Sequence, residues 1–315
     1  MSETGNTRYN SLSKAGVVDA PTMFKCLIGG FFLNPICLRH LSIGSLPEAS
    51  KGWTLRADPG TLGSFEVLAI SLAAVQIPEA IGQIESWIAL RDRCHFVAVT
   101  GMHGAIEAQN DPAFKNVLNS ADLVVPDGMP LIWLARLQGH QLKRRVYGPE
   151  LMLSFCEQTA GKGYRHFFYG ATSSVCELLA QKLRSRFPGI QVVGTHSPPF
   201  RPLTPEEDEK VISQINETKA DILWVGLSTP KQELWMYAHR RRLNVPVLVG
   251  VGAAFDINAG VKRQAPRWMR EHGLEWFFRL LQEPRRLWYR YLVYGSQFIF
   301  YVSLELLGIR KAVKL

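Results

Sequence analysis

Apolar residues in this chain follow two rhythms. Short, nearly continuous apolar runs stand at HFVAVT (95–100), ADLVVP (121–126), YRHFFYG (164–170), IQVVG (190–194), ADILWVGL (220–227) and VPVLVGVG (245–252). Between them lie stretches with apolar positions at helical spacing, such as VCELLAQKLRSRF and PEEDEKVISQINE. A strand apolar at consecutive positions is covered on both faces, and strands that alternate with helices build a parallel sheet. The pattern predicts an α/β core over residues 64–262: a Rossmann-like, doubly wound, mainly parallel sheet.

The flanks read differently. Residues 1–63 are rich in Gly, Ser and Pro, and their one dense apolar stretch, MFKCLIGGFFLNPICL (23–38), is interrupted by Gly29, Gly30 and Pro35. They read as an irregular amino-terminal extension. Residues 263–315 read as a helical appendage, divided at Pro284 because proline breaks a helix interior and suits a first turn. No internal repeat is visible.

Composition narrows the setting. Hydrophobic content of 47% is that of a soluble globular protein. The cysteines Cys26, Cys37, Cys94, Cys156 and Cys176 show no CxxC or CxxH spacing, so neither a disulfide framework nor a zinc site is expected, and a reducing cytoplasm fits. The polar opening MSETGNTRYN predicts no secretory signal.

Charge is uneven. Of the net +9, much lies between Lys262 and Arg290, where eight basic residues face three acidic ones and alternate with Trp268, Trp276, Phe277, Phe278, Trp288 and Tyr289. That mixture suits an anionic, partly apolar partner such as a membrane surface; no zinc-finger or RNP-like signature points to nucleic acid. Residues 291–309, YLVYGSQFIFYVSLELLGI, hold one charge, Glu305, and span about 28 Å as a helix. Three arrangements fit: a transmembrane anchor, a helix in the membrane interface, or a helix packed on a partner protomer. The preceding basic and aromatic residues favour the second.

Ligands of open α/β sheets gather beyond the carboxyl ends of the strands. Asp127-Gly128-Met129-Pro130, Ala171-Thr172-Ser173, Ser228 through Glu233 and Ala253 through Asp256 follow four of the runs, so polar residues recur at that edge. Each also has a structural reading. Asp127 is placed to cap the helix GMPLIWLARL, and Thr229 with Gln232 has capping-box spacing, as Thr204 has with Glu207. GVGAAFD (250–256) begins like a dinucleotide fingerprint, but Phe255 replaces the third glycine and the segment follows the last strand, which argues against an oxidoreductase. No Walker motif and no GxSxG occurs.

The motifs ADLVVPDGMP, RRVYGPEL (144–151), FFYGAT, GLSTPKQELW (226–235), VGVGAAFDINAG (249–260) and APRWMREHGLEWFFRLLQEPRRLWYRYL (265–292), in this order, resemble the WecG/TagA/CpsF glycosyltransferases. The resemblance implies transfer of a hexosyl residue, of N-acetylmannosamine type or glucose, in cell-surface polysaccharide biosynthesis. The donor would be a UDP-sugar, the acceptor a polyprenyl-diphosphate-linked glycan, and the anomeric carbon would invert. Single-step inversion needs a base for the acceptor hydroxyl, and Asp127 matches the family's base.

No DxD motif is present to hold a metal against the diphosphate, so the resemblance assigns that charge to arginines: Arg145 in the core and Arg279, Arg286 and Arg290 in the appendage. Thr100, Gln232 and Asp256 fall where the family places polar contacts. One departure stands out. Many members read Thr-Pro-Asn where this chain reads Thr100-Gly101-Met102-His103, so Met102 replaces an asparagine and His103 is a candidate substitute contact. No cofactor is expected, a homo-oligomer is possible, and the enzyme is expected in the cytoplasm, peripheral on the inner face of the membrane. The competing reading is a non-catalytic scaffold of a membrane polysaccharide assembly complex.

Overall fold

The computed structural model describes residues 62–309. The extension predicted for 1–63 lies almost wholly outside the described residues, as do Cys26 and Cys37.

A hairpin opens the described chain: β1 (Ser64–Val67) pairs antiparallel with β2 (Ile70–Ala73). Its two-residue turn holds Leu68 and Ala69 at φ of 52° and 59°. This is the left-handed region that glycine or asparagine usually supplies, so the sequence carries no turn signal there and the hairpin is not predicted. Helix α1 (Ile77–Leu90) follows, with Gln76 and Glu79 forming a reciprocal cap.

The six predicted runs become the six strands of one wholly parallel sheet. They are β3 (His95–Thr100), β4 (Leu123–Pro126), β5 (Arg165–Gly170), β6 (Gln191–His196), β7 (Ile222–Gly226) and β8 (Val247–Gly250). Their order is β4-β3-β8-β7-β5-β6. Alternation within each strand explains why the runs are continuously apolar. Val97, Val99, Phe168, Ile222, Trp224, Val247 and Val249 enter a core on one face. Phe96, Phe167, Tyr169, Leu223, Val225 and Leu248 enter another on the opposite face. At about 1.5–3 kcal/mol for each fully buried large apolar side chain, this two-sided burial is the main source of the sheet's stability.

The connecting helices divide between the faces. Helices α5 (Gly148–Thr159), α6 (Ser173–Arg186) and α9 (Ala254–Asn258) cover the first core with α1. Helices α2 (Met102–Asn110), α3 (Pro112–Asn119), α4 (Met129–Leu137), α7 (Pro205–Glu217) and α8 (Lys231–His239) belong to the other side. The chain therefore leaves β3 and β7 toward one face but leaves β8, which lies between them, toward the other. That divergence opens a crevice at the carboxyl end of β8, the place where open α/β sheets hold ligands.

The appendage forms α10 (Arg267–Glu271), α11 (Glu275–Gln282), α12 (Pro284–Trp288) and, after a π turn at Tyr289–Val293, α13 (Tyr294–Leu306). Pro284 opens α12 at its first turn, as its fixed φ favours. The tail rules out the first of the three arrangements expected for it. Among the described residues no helix is long and apolar enough to cross a membrane. One side of α13 instead packs on this chain's own core: Phe298 and Val302 join the cluster of Phe65, Ile106, Phe114 and Leu131, and Glu305 accepts from the Leu68 N–H at 3.1 Å. Ile299, Phe300 and Leu306 on the same helix stay exposed.

Candidate active site

Asp127 is not a helix cap. Gly128 occupies the N-cap position of α4 at φ 129°, and no side chain caps that helix. The Asp127 N–H instead donates to the Thr100 carbonyl at 2.8 Å, which fastens the end of β4 to the end of β3. The two strand ends approach so closely that a Cβ on Gly101 would lie 2.4 Å from the Asp127 carbonyl oxygen. Glycine is required there by the contact, not by its own dihedral angles.

The freed carboxylate faces cations. Arg145 Nη1 stands 3.4 Å from Asp127 Oδ1, while Arg145 Nη2 pairs with the buried carboxylate of Glu275. The Arg145 guanidinium also lies over the Tyr147 ring, 4.3 Å from its centroid. Desolvation pushes the Asp127 carboxyl up from 3.8 to about 6, against the pull of Arg145, Arg279 and Arg290. Such a group is largely ionised at neutral pH yet keeps enough basicity to accept a proton, as a general base must.

Orphaned polar atoms collect around it. Thr100 Oγ1, His103 Nδ1, Asp127 Oδ1, Tyr147 OH and Glu233 Oε2 are buried with no hydrogen-bond partner, although Glu275 approaches the Tyr147 hydroxyl. Buried polar groups are nearly always paired, so a concentration of unpaired ones at a ligand-binding edge marks where a ligand's own polar atoms belong. Beside them lies a shallow cleft lined by Tyr147, Lys262, Arg263, Glu275, Arg279 and Glu283.

The other predicted residues separate into three groups. Arg279 and Arg290, both half-buried, are close enough for their charges to act on Asp127. His103 sits in the first turn of α2, its ring stacked on Tyr294 at 5.3 Å and its Nε2 3.3 Å from Glu107 Oε1; burial lowers its pKa and keeps it neutral. Asp256 and Arg286 pair with other residues, although the charge of Arg286 acts on Arg290. They end a chain of ion pairs along the cleft, in which Lys262 links Asp256 at 3.7 Å to Glu283 at 3.3 Å, and Glu283 pairs with exposed Arg286.

Gln232 is buried within the framework. Its oxygen accepts from the Gly252 N–H at 2.9 Å and its amide donates to Glu233 Oε1 at 2.9 Å. The capping box expected from Thr229 and Gln232 does not form. Pro230 is the N-cap of α8 and makes no side-chain cap, while the Thr229 hydroxyl donates to Glu233 at 2.8 Å. At Thr204 and Glu207 the box does form, with bonds of 3.2 and 2.9 Å.

Sequence reading passed over Tyr147, Glu233 and Glu275. All three lie inside the quoted motifs, but nothing in their spacing separates them from the helical residues around them. Met102 also finds an account: its side chain packs toward α13, with its Cε 3.9 Å from a Cβ built on Gly295.

A desolvated carboxylate beside concentrated positive charge, at the crevice of a doubly wound sheet, suits group transfer, the chemistry of a transferase. The particular family follows from comparison: residues 65–312 match the Glycosyl transferase WecG/TagA/CpsF family, and the chain belongs to it. A protein of Bacillus spizizenii is 29% identical over 69% of this chain and 82% of its own length. One of Bacillus subtilis is 31% identical over 60% of this chain and 71% of its own. A third, of Staphylococcus aureus, is 26% identical over 70% and 86%. Each is named N-acetylglucosaminyldiphosphoundecaprenol N-acetyl-beta-D-mannosaminyltransferase. This chain is accordingly a glycosyltransferase.

Proposed function

We propose that the enzyme moves a hexosyl residue from a UDP-sugar to a polyprenyl-diphosphate-linked acceptor, with inversion and without a metal. The desolvated carboxylate of Asp127 among arginines carries this reading. The acceptor hydroxyl attacks the anomeric carbon from the face opposite the diphosphate while Asp127 takes its proton. The bond from that carbon to the diphosphate oxygen breaks, and UDP leaves with its charge held by Arg279 and Arg290. Guanidinium forks match phosphate oxygens, which gives the leaving diphosphate its counter-charge. The relatives' names favour N-acetylmannosamine as the sugar and an N-acetylglucosamine-bearing lipid as the acceptor.

Such an acceptor keeps the enzyme at a membrane, and the exposed Trp276, Phe277, Trp288, Ile299 and Phe300 of the appendage, interspersed with arginines, suit a peripheral position on its cytoplasmic face. The test is UDP release from UDP-N-acetylmannosamine with a polyprenyl-diphosphate N-acetylglucosamine acceptor. Release is expected to persist in EDTA and to fall by about 10²–10⁴ in Asp127→Asn. Full activity in that variant sinks the assignment of the base, and loss in EDTA sinks metal independence.

A further inference from the structure

Glu233 is an unusual carboxylate. It is fully buried, and among the described residues no lysine, arginine or histidine forms an ion pair with it. An ionised carboxylate in that setting would carry a heavy uncompensated desolvation penalty. Its two bonded partners are neutral donors, the Thr229 hydroxyl and the Gln232 amide, and both reach the same oxygen, Oε1.

From that oxygen a chain of bonds runs to the crevice. With one end of the Gln232 amide held by Glu233, its carbonyl oxygen meets the Gly252 N–H in the turn that carries the chain from β8 into α9. Gly250 makes room for this amide: a Cβ there would lie 3.0 Å from Gln232 Nε2 and 3.2 Å from Cδ. The second oxygen, Oε2, is buried and unpartnered. Thr229 and Thr100 converge on the first turn of α2, their methyl groups 3.5 and 3.0 Å from a Cβ built on Gly104, and Thr100 Oγ1 is likewise unpartnered.

We propose that Glu233 is a positioning residue of the transfer site that works as a hydrogen-bonding acid: Oε1 sets the Thr229 hydroxyl and the Gln232 amide, and Oε2 holds a proton that it donates into the crevice. Burial raises the pKa of this carboxyl, while its bonds to Gln232 and Thr229 and the charge of Arg290 act the other way. The orientation of Gln232 follows. Its oxygen is committed to Gly252, so what it offers a substrate is one remaining N–H, a donor suited to a sugar or phosphate oxygen.

The activity readout rests on the transferase reading above; the protonation readout does not. Infrared difference spectra of the wild type against Glu233→Gln at pH 7 are expected to show a protonated-carboxyl C=O band that the variant lacks, with Asp127 common to both. In transfer assays Glu233→Ala is expected to lose tenfold or more of kcat/KM, and Glu233→Gln, which keeps the acceptor oxygen and supplies a donor in place of Oε2, to recover to within about threefold of wild type. No band difference, or a Glu233→Gln as impaired as Glu233→Ala, overturns the proposal. A wild type that transfers nothing refutes the function proposed above, while the band still decides the state of Glu233.

Discussion

Asp127→Asn should make the protein more stable while abolishing its chemistry, and the gain should depend on pH. In the folded chain the Asp127 carboxyl titrates near 6, against an ordinary value of 3.8. The folded state therefore holds this proton more tightly than the unfolded one. Stability is unaffected by the group below the unfolded value, declines as pH rises from 3.8 toward 6, and stays reduced above that. At about 1.36 kcal/mol per pH unit, the 2.2-unit difference costs about 3 kcal/mol at pH 7, about 1.5 at pH 5 and about 0.5 at pH 4. Asparagine mimics the neutral acid and escapes the loss, so denaturant unfolding should show a gain approaching about 3 kcal/mol at pH 7 that shrinks to about 0.5 kcal/mol at pH 4. Mass measurement guards against deamidation of the new Asn-Gly pair. A variant less stable than wild type at pH 7, or a gain equal at both pH values, refutes the claim that this carboxylate is held at a cost.

Other perturbations probe the surroundings. Arg145 is the strongest charge lowering the Asp127 pKa, so in Arg145→Gln the acid limb of the kcat/KM profile should move above pH 6, and a limb that stays or moves down contradicts that electrostatic role. Gly101→Ala places a methyl 2.4 Å from the Asp127 carbonyl and should cost about 1–3 kcal/mol of stability together with a lower kcat, measured by unfolding and by UDP release. Phe298→Ala should cost about 3–5 kcal/mol by thermal unfolding, since that ring is 4% exposed in the core beneath α13. By contrast, Ile299→Glu with Phe300→Glu should leave the melting temperature nearly unchanged and weaken binding to anionic vesicles; vesicle binding equal to wild type argues against docking through this face.

The sheet was legible because its physics is written locally. Strands buried on both faces need apolar runs, and each of the six runs appears at its place, with edge strand β6 partly exposed. The hairpin at 64–73 escaped because Leu68 and Ala69 occupy a left-handed turn that neither residue advertises. In the site, Asp127 was visible as a polar residue at a strand end, but its choice between cap and base depends on Gly128 taking the N-cap position and on Arg145 arriving from another loop. The ion pair of Arg145 with Glu275 joins residues 130 positions apart, a distance over which periodicity carries no information. The transmembrane option for the tail arose for a related reason: an apolar helix with one face in the core has nearly the composition of one that crosses lipid.

The docking of α13 onto α2 has a mechanical consequence. Phe298 and Val302 pin one side of the tail helix to the core, Tyr294 stacks on His103, and Met102 reaches Gly295. The wall of the crevice and the inner face of the outermost helix thus form one packed unit, and the opposite face of that helix carries Ile299 and Phe300 into solvent. The medium that wets those two side chains enters the free energy of the same unit that walls the crevice.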